Sequence, residues 1–204
     1  MKTQTIIGLS TVALLGIGLG FSSTSYADKA TNATVGYTGG GLVMDPGGLL
    51  PSNLNFGSHP IQSAADETWT ATSDGVQASP ATTGTVVVDD NRGATLLPGW
   101  SVKVTQLTQF SADLNILTGA ALSITAGAIT NNLSSAPTGT SMANKTTTLN
   151  LLLANTVMTA NAGEGAGETT LPITKFQLAV PKTALKAEAN YQTTLNWTIT
   201  ASPL

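Results

Sequence analysis

The chain has 204 residues and no cysteine, and only 9% of it is charged, against roughly 25% in ordinary globular domains. That composition excludes disulfide frameworks, thiol nucleophiles and thiolate metal sites. A formal net charge of −3 gives no electrostatic grip on nucleic acid or on polyanionic polymers, so any affinity must come from shape, stacking and hydrogen bonds.

In chain order, Lys2 followed by the apolar run Ile6 to Phe21 and the small-x-small triplet Ser25-Tyr26-Ala27 predicts a secretory signal peptide over 1–27. Cleavage there leaves 28–204, the size of one domain, with no later apolar run long enough to span a membrane. Thr38 to Pro60 reads as a turn-rich lead-in, with Gly39-Gly40-Gly41, Asp45-Pro46-Gly47-Gly48 and Asn55-Phe56-Gly57. The single histidine, His59, stands between Ser58 and Pro60 as an ordinary loop residue, because no Gly-x-Ser-x-Gly turn accompanies it. A strand is expected around Trp69, which is open to either a core or a surface role.

Val86-Val87-Val88 has the continuous apolar character of a strand buried on both faces. The neighbouring acids Asp66-Glu67 and Asp89-Asp90 cannot form catalytic pairs, since adjacent residues on a strand point to opposite faces. Asp89, Asp90 and Asn91 lack the Asp-x-Asp-x-Asp spacing of a calcium loop, so no metal or cofactor site is expected. Beyond them, apolar residues recur at every second position. The sets are Trp100, Val102 and Val104; Leu122, Ile124 and Ala126; Phe176, Leu178 and Val180; and Leu195, Trp197, Ile199 and Ala201. Gly163-Glu164-Gly165-Ala166-Gly167 reads as a flexible loop and not a phosphate cradle, as no lysine follows in register. Thr183 to Glu188 is expected to form a single helical turn. The whole predicts an all-β fold, an antiparallel β-sandwich or barrel-like single domain with long irregular loops and no enzymatic constellation.

Two ordered motifs then give the sequence a family likeness. Asp90-Asn91-Arg92-Gly93 precedes Trp100-Ser101-Val102, and Tyr191-Gln192-Thr193-Thr194-Leu195-Asn196-Trp197-Thr198-Ile199 precedes Pro203. Together with Asn55-Phe56-Gly57, Leu117-Thr118-Gly119-Ala120 and the glycine loop, they resemble the WxL cell-surface proteins of low-GC Gram-positive bacteria. That family carries Trp-x-Leu after Asp-x-Arg-Gly, and Tyr-x-x-x-Leu-x-Trp-x-Leu near the C-terminus. Val102 and Ile199 stand here where the family has leucine.

The resemblance implies a WxL domain over 28–204 that binds peptidoglycan or an associated wall glycan non-covalently. It implies wall-binding motifs at Trp100, Ser101, Val102, Tyr191, Leu195, Trp197, Thr198 and Ile199. It further implies other cell-surface proteins as partners, including membrane-anchored ones that recognise WxL domains, or adhesion to host matrix or plant polysaccharide. With no appended adhesive module, a small subunit or adaptor is expected. No Leu-Pro-x-Thr-Gly sorting motif is present, so retention is expected to rest on binding.

Strand parity places Trp100 beside Val102 and Val104, and Trp197 beside Leu195 and Ile199, so both rings are expected as core anchors, with sugar stacking as the alternative. The opposite faces, Ser101, Lys103, Thr105 and Asn196, Thr198, Thr200, form an alternative hydrogen-bonding surface. Arg92 is expected to fix a turn by pairing with a carboxylate such as Asp90, so that Arg92→Lys is not neutral.

Overall fold

A computed structural model describes residues 33–93 and 98–202. The signal peptide expected at 1–27 and the closing Pro203 lie outside them. Residues 33–36 group with the N-terminal unit and carry no regular structure, and the strand-rich unit begins at Tyr37.

Twelve strands succeed one another along it: β1 (Leu42–Met44), β2 (Glu67–Thr70), β3 (Gly84–Asp90), β4 (Trp100–Gln106), β5 (Ser111–Ala112), β6 (Asn115–Ile116), β7 (Ala121–Ala126), β8 (Thr130–Asn131), β9 (Thr146–Thr148), β10 (Asn155–Ala160), β11 (Gly167–Val180) and β12 (Leu195–Ala201). The described residues contain no helix. A seven-stranded antiparallel sheet runs β1-β3-β11-β7-β9, with β2 and β8 also paired to β11. A three-stranded sheet, β10-β4-β12, faces it, and β5-β6 form a separate small hairpin. The sheets stay open and do not close into a barrel, so the sandwich form of the expectation holds.

The 14-residue β11 organises the large sheet. Its first half pairs with β3 and β8 and its second half with β2 and β7. A bulge between Ile173 and Lys175 shifts the register against β7. One extra residue reverses which side chains face inward. Leu171 and Ile173 are therefore buried before the bulge, and Phe176, Leu178 and Val180 after it. β7 and β4 keep strict alternation, burying Leu122, Ile124 and Ala126 on one and Trp100, Val102, Val104 and Gln106 on the other. These inward sets form one core with Val86 and Val88, while Val87 is buried on the opposite face.

Two local expectations need correction. Thr183 to Glu188 forms no helical turn, because tertiary partners take its groups: Ala187 N–H donates to the Tyr191 hydroxyl at 2.8 Å, and Lys186 Nζ donates to Gln62 O at 2.8 Å. The lead-in is also more ordered than its turns imply, since it contains β1 and a locked Asn-Phe-Gly turn. Asn55 Oδ1 accepts Gly57 N–H at 3.0 Å, and Phe56 packs edge-on against Phe110. Gly57 has φ +90°, and a Cβ there would collide with Gly75 O.

Candidate binding site

The two tryptophan motifs lie side by side. β12 pairs antiparallel with β4, with Ile199 opposite Val102, Trp197 opposite Val104 and Ala201 opposite Trp100. The third residues of the two tripeptides are thus direct cross-strand neighbours. Their burial differs because β4 is central and β12 lies at the edge. Trp100, Val102 and Val104 are wholly buried, whereas Leu195, Trp197 and Ile199 are half-buried and Ala201 is exposed. Trp100 is a core anchor and Trp197 is not fully one. On the outer faces, Ser101, Lys103 and Thr105 are half-buried, and Asn196, Thr198 and Thr200 are exposed.

The glycine loop is shaped around Trp100. Gly165 O accepts the indole N–H at 3.4 Å, and a Cβ on Gly165, whose φ is +73°, would meet the ring at 2.8 Å. Far from hanging loose, the loop is cross-bonded. Glu164 accepts the Thr138 hydroxyl, the Thr138 N–H at 3.0 Å and the Asn161 N–H at 2.9 Å. These bonds, the Thr138 hydroxyl first, lower the Glu164 carboxyl to about 2. A depressed carboxyl contributes stability above its unfolded value, and that contribution is lost as pH falls through the folded value. Glu164→Gln is therefore expected to cost about 1 kcal/mol at neutral pH after allowance for solvent screening. Thermal melts between pH 5 and pH 2 check this: the melting temperature should fall less steeply with acid in the variant than in the parent.

Asp90, Asn91, Arg92 and Gly93 form the turn that leaves β3. The Arg92 guanidinium grips Asp90 with Nε and Nη2 donating to its two carboxylate oxygens at 2.8 Å each, and Nη2 also donates to Pro98 O at 2.8 Å. The Asp90 side chain is fully buried. Its hydrogen bonds hold the Arg92 guanidinium more firmly protonated than an ordinary arginine, against the opposing effect of burial. Gly93 supplies the positive φ of +104°.

The last motif opens onto a cleft of about 1310 Å³ between the lead-in and the 186–195 segment. Phe56, Phe110 and Phe176 form its floor, and Tyr191, Leu195 and Trp197 line one wall. On another wall the His59 and Trp69 rings stack with centroids 3.4 Å apart and planes 5° from parallel. His59 Nε2 lies 2.8 Å from Phe56 O, so it must carry the proton and donate. At the rim Lys186 pairs with Glu67 at 3.1 Å. Burial would raise the Glu67 carboxyl, but hydrogen bonds from Gln62 and Lys186 outweigh it and hold the group below its usual value. Amide side chains of Asn53, Asn190 and Gln192 complete the lining. Flat rings beside amide donors and acceptors suit the apolar face and the hydroxyls of a sugar ring. Among the described residues no three acidic or histidine groups gather to hold a metal ion.

The family model for the WxL domain, surface cell wall-binding, matches residues 28–203. The chain belongs to the WxL family. It is a wall-binding protein of the cell surface, as that description states. No curated protein and no solved structure matches it. No helix among the described residues is long and apolar enough to cross a membrane. The WxL name rests on two tryptophans that the fold uses differently, one sealed beneath the glycine loop and one at the cleft wall. His59 and Trp69 lie outside both motifs and reach this cleft from separate segments. Only the pairing of β2 with β11 sets Trp69 there, by placing it opposite Leu178.

Proposed function

We propose that the protein is exported through a leader cleaved after Ala27 and held non-covalently on peptidoglycan or an associated wall glycan by the aromatic cleft. The observation that carries this reading is the cleft itself, with Trp197, Tyr191 and the His59–Trp69 stack around amide side chains. Trp100 is wholly buried beneath the glycine loop and does not line the cleft, so its role is to hold the fold. The protein acts as a small subunit or adaptor in a multi-protein surface complex that includes membrane-anchored partners. It performs no catalysis, in keeping with the binding role of its family and with a cleft carboxylate, Glu67, tied to Lys186.

The test is sedimentation of the purified exported chain with protein-free peptidoglycan. The parent is expected to co-sediment, and Trp69→Ala to weaken binding roughly tenfold, the equivalent of about 1.4 kcal/mol. Exposed Asn190 and Gln192, changed together to alanine, should weaken binding with an unchanged melting temperature. Retention by intact envelopes alone, with none on purified wall, would transfer the role to a protein partner.

A further inference from the structure

The aromatic cleft offers a ligand almost no usable charge. Lys186 is the single Lys or Arg among its lining residues, and its Nζ is spent on Glu67 at 3.1 Å and on Gln62 O at 2.8 Å. These two side chains are only 11% and 9% exposed, so the ion pair closes on itself. Glu188, exposed on the same segment as Lys186, is the other fully charged lining residue, and among the described residues no cation pairs with it. With a neutral His59 the lining is therefore net negative. Phosphate-rich wall polymers and the free carboxylates of wall peptides meet repulsion there and no free cation to hold them.

The polar groups that remain are neutral. Asn53, Asn190 and Gln192 are all exposed, and each presents an amide with an acceptor oxygen and two N–H donors. Since His59 Nε2 donates to Phe56 O, the Nδ1 of the neutral ring is one more acceptor. Beneath them the floor is apolar, with Leu122 and Leu178 beside Phe56, Phe110 and Phe176. Such a lining favours a ligand that is uncharged, rich in N–H and O–H donors, and supplied with small apolar groups.

We infer that the cleft takes an uncharged chain of N-acetylated amino sugars and selects it by the acetamido group. The N–H and C=O of that group are complementary to the side-chain amides of Asn190 and Gln192, and its methyl suits the phenylalanine floor. A plain hexose carries a hydroxyl at the same position. It leaves the apolar recess unfilled and sets an unpaired polar group against it. The volume of about 1310 Å³ exceeds the roughly 300 to 1,000 Å³ of a pocket for one small ligand, so more than one linked ring fits. This assignment rests on the wall-binding reading and narrows it to the glycan backbone, away from anionic polymers, wall peptides and unsubstituted plant polysaccharides.

Calorimetric titration of the purified exported chain with the chitin-derived tetramer of N-acetylglucosamine tests this. The tetramer is expected to bind, and the cellulose-derived tetramer of glucose, with a hydroxyl in place of each acetamido group, to bind roughly tenfold less tightly. Between about 50 mM and about 500 mM salt the affinity should change less than about twofold, since no ion pair forms with the ligand. Asn190→Ala combined with Gln192→Ala should bring the two tetramers' affinities together at an unchanged melting temperature, an effect on selectivity that a merely structural role would not produce. The acetylated tetramer should also displace the protein from protein-free peptidoglycan. Equal affinities of the parent for the two tetramers, preferential binding of a glycerol-phosphate polymer, or retention on peptidoglycan that the acetylated tetramer does not displace would each overturn the assignment and leave wall attachment itself standing. A chain that ignores purified peptidoglycan altogether would remove both.

Discussion

Trp100→Ala is expected to lower unfolding free energy by about 3 to 5 kcal/mol, because a fully buried ring leaves both lost transfer energy and a cavity. The glycine loop cannot refill the space, as Gly165 has no side chain and its neighbours are fixed by Glu164. Wall retention would then be lost through unfolding. Trp197→Ala removes a ring that is only half-buried and at an edge, so it should cost clearly less stability while weakening wall binding in the folded state. Chemical denaturation beside peptidoglycan sedimentation separates the two. If Trp100→Ala left the denaturation midpoint unchanged, the assignment of that ring to the core would be wrong.

Loss of the Arg92–Asp90 clamp has the second largest expected effect. Arg92→Ala leaves a fully buried carboxylate without its counter-ion, a change expected to cost about 3 kcal/mol or more. Arg92→Lys keeps the charge but cannot reproduce the paired N–H donors or the bond to Pro98 O. It should cost about 1.5 kcal/mol. Both should lower the melting temperature of the isolated protein with no ligand present. A residue that only contacted a wall polymer would leave that temperature unmoved and change binding alone.

The parts of the fold legible in the sequence are those where one strand keeps one parity. β7, β4 and the end of β11 announce themselves by alternating apolar residues, and the structure buries those residues. β11 as a whole was not legible, because its bulge moves the buried set from Leu171 and Ile173 to Phe176 and Leu178, which breaks a period of two. β10 is hidden for the same reason, since its register shift buries the adjacent Val157 and Met158. Two-residue strands such as β5, β6 and β8 are too short to carry any period. Thr183 to Glu188 misled through good helix formers whose groups are taken by Tyr191, Gln62 and Glu67.

The site was legible in its motifs and not in its geometry. Parity placed both tryptophans on the apolar side, which is correct, but parity does not distinguish a central strand from an edge. That difference seals Trp100 and leaves Trp197 half-open at the cleft. His59 and Trp69 belong to separate segments of the lead-in and β2, and nothing local marks them as stacking partners. The Asp90–Arg92 pair was readable because both members lie within one turn.

The small sheet also bears on the order in which the chain folds. Its central strand takes partners that arrive much later in the chain: Trp100 pairs with Ala160, and Gln106 with Leu195. Such distant pairings close slowly, since a long loop must be ordered before any contact stabilises it. The small sheet is therefore complete only once the chain as far as Ala201 is available, and the pairing of its two tryptophan motifs belongs to the late steps of folding.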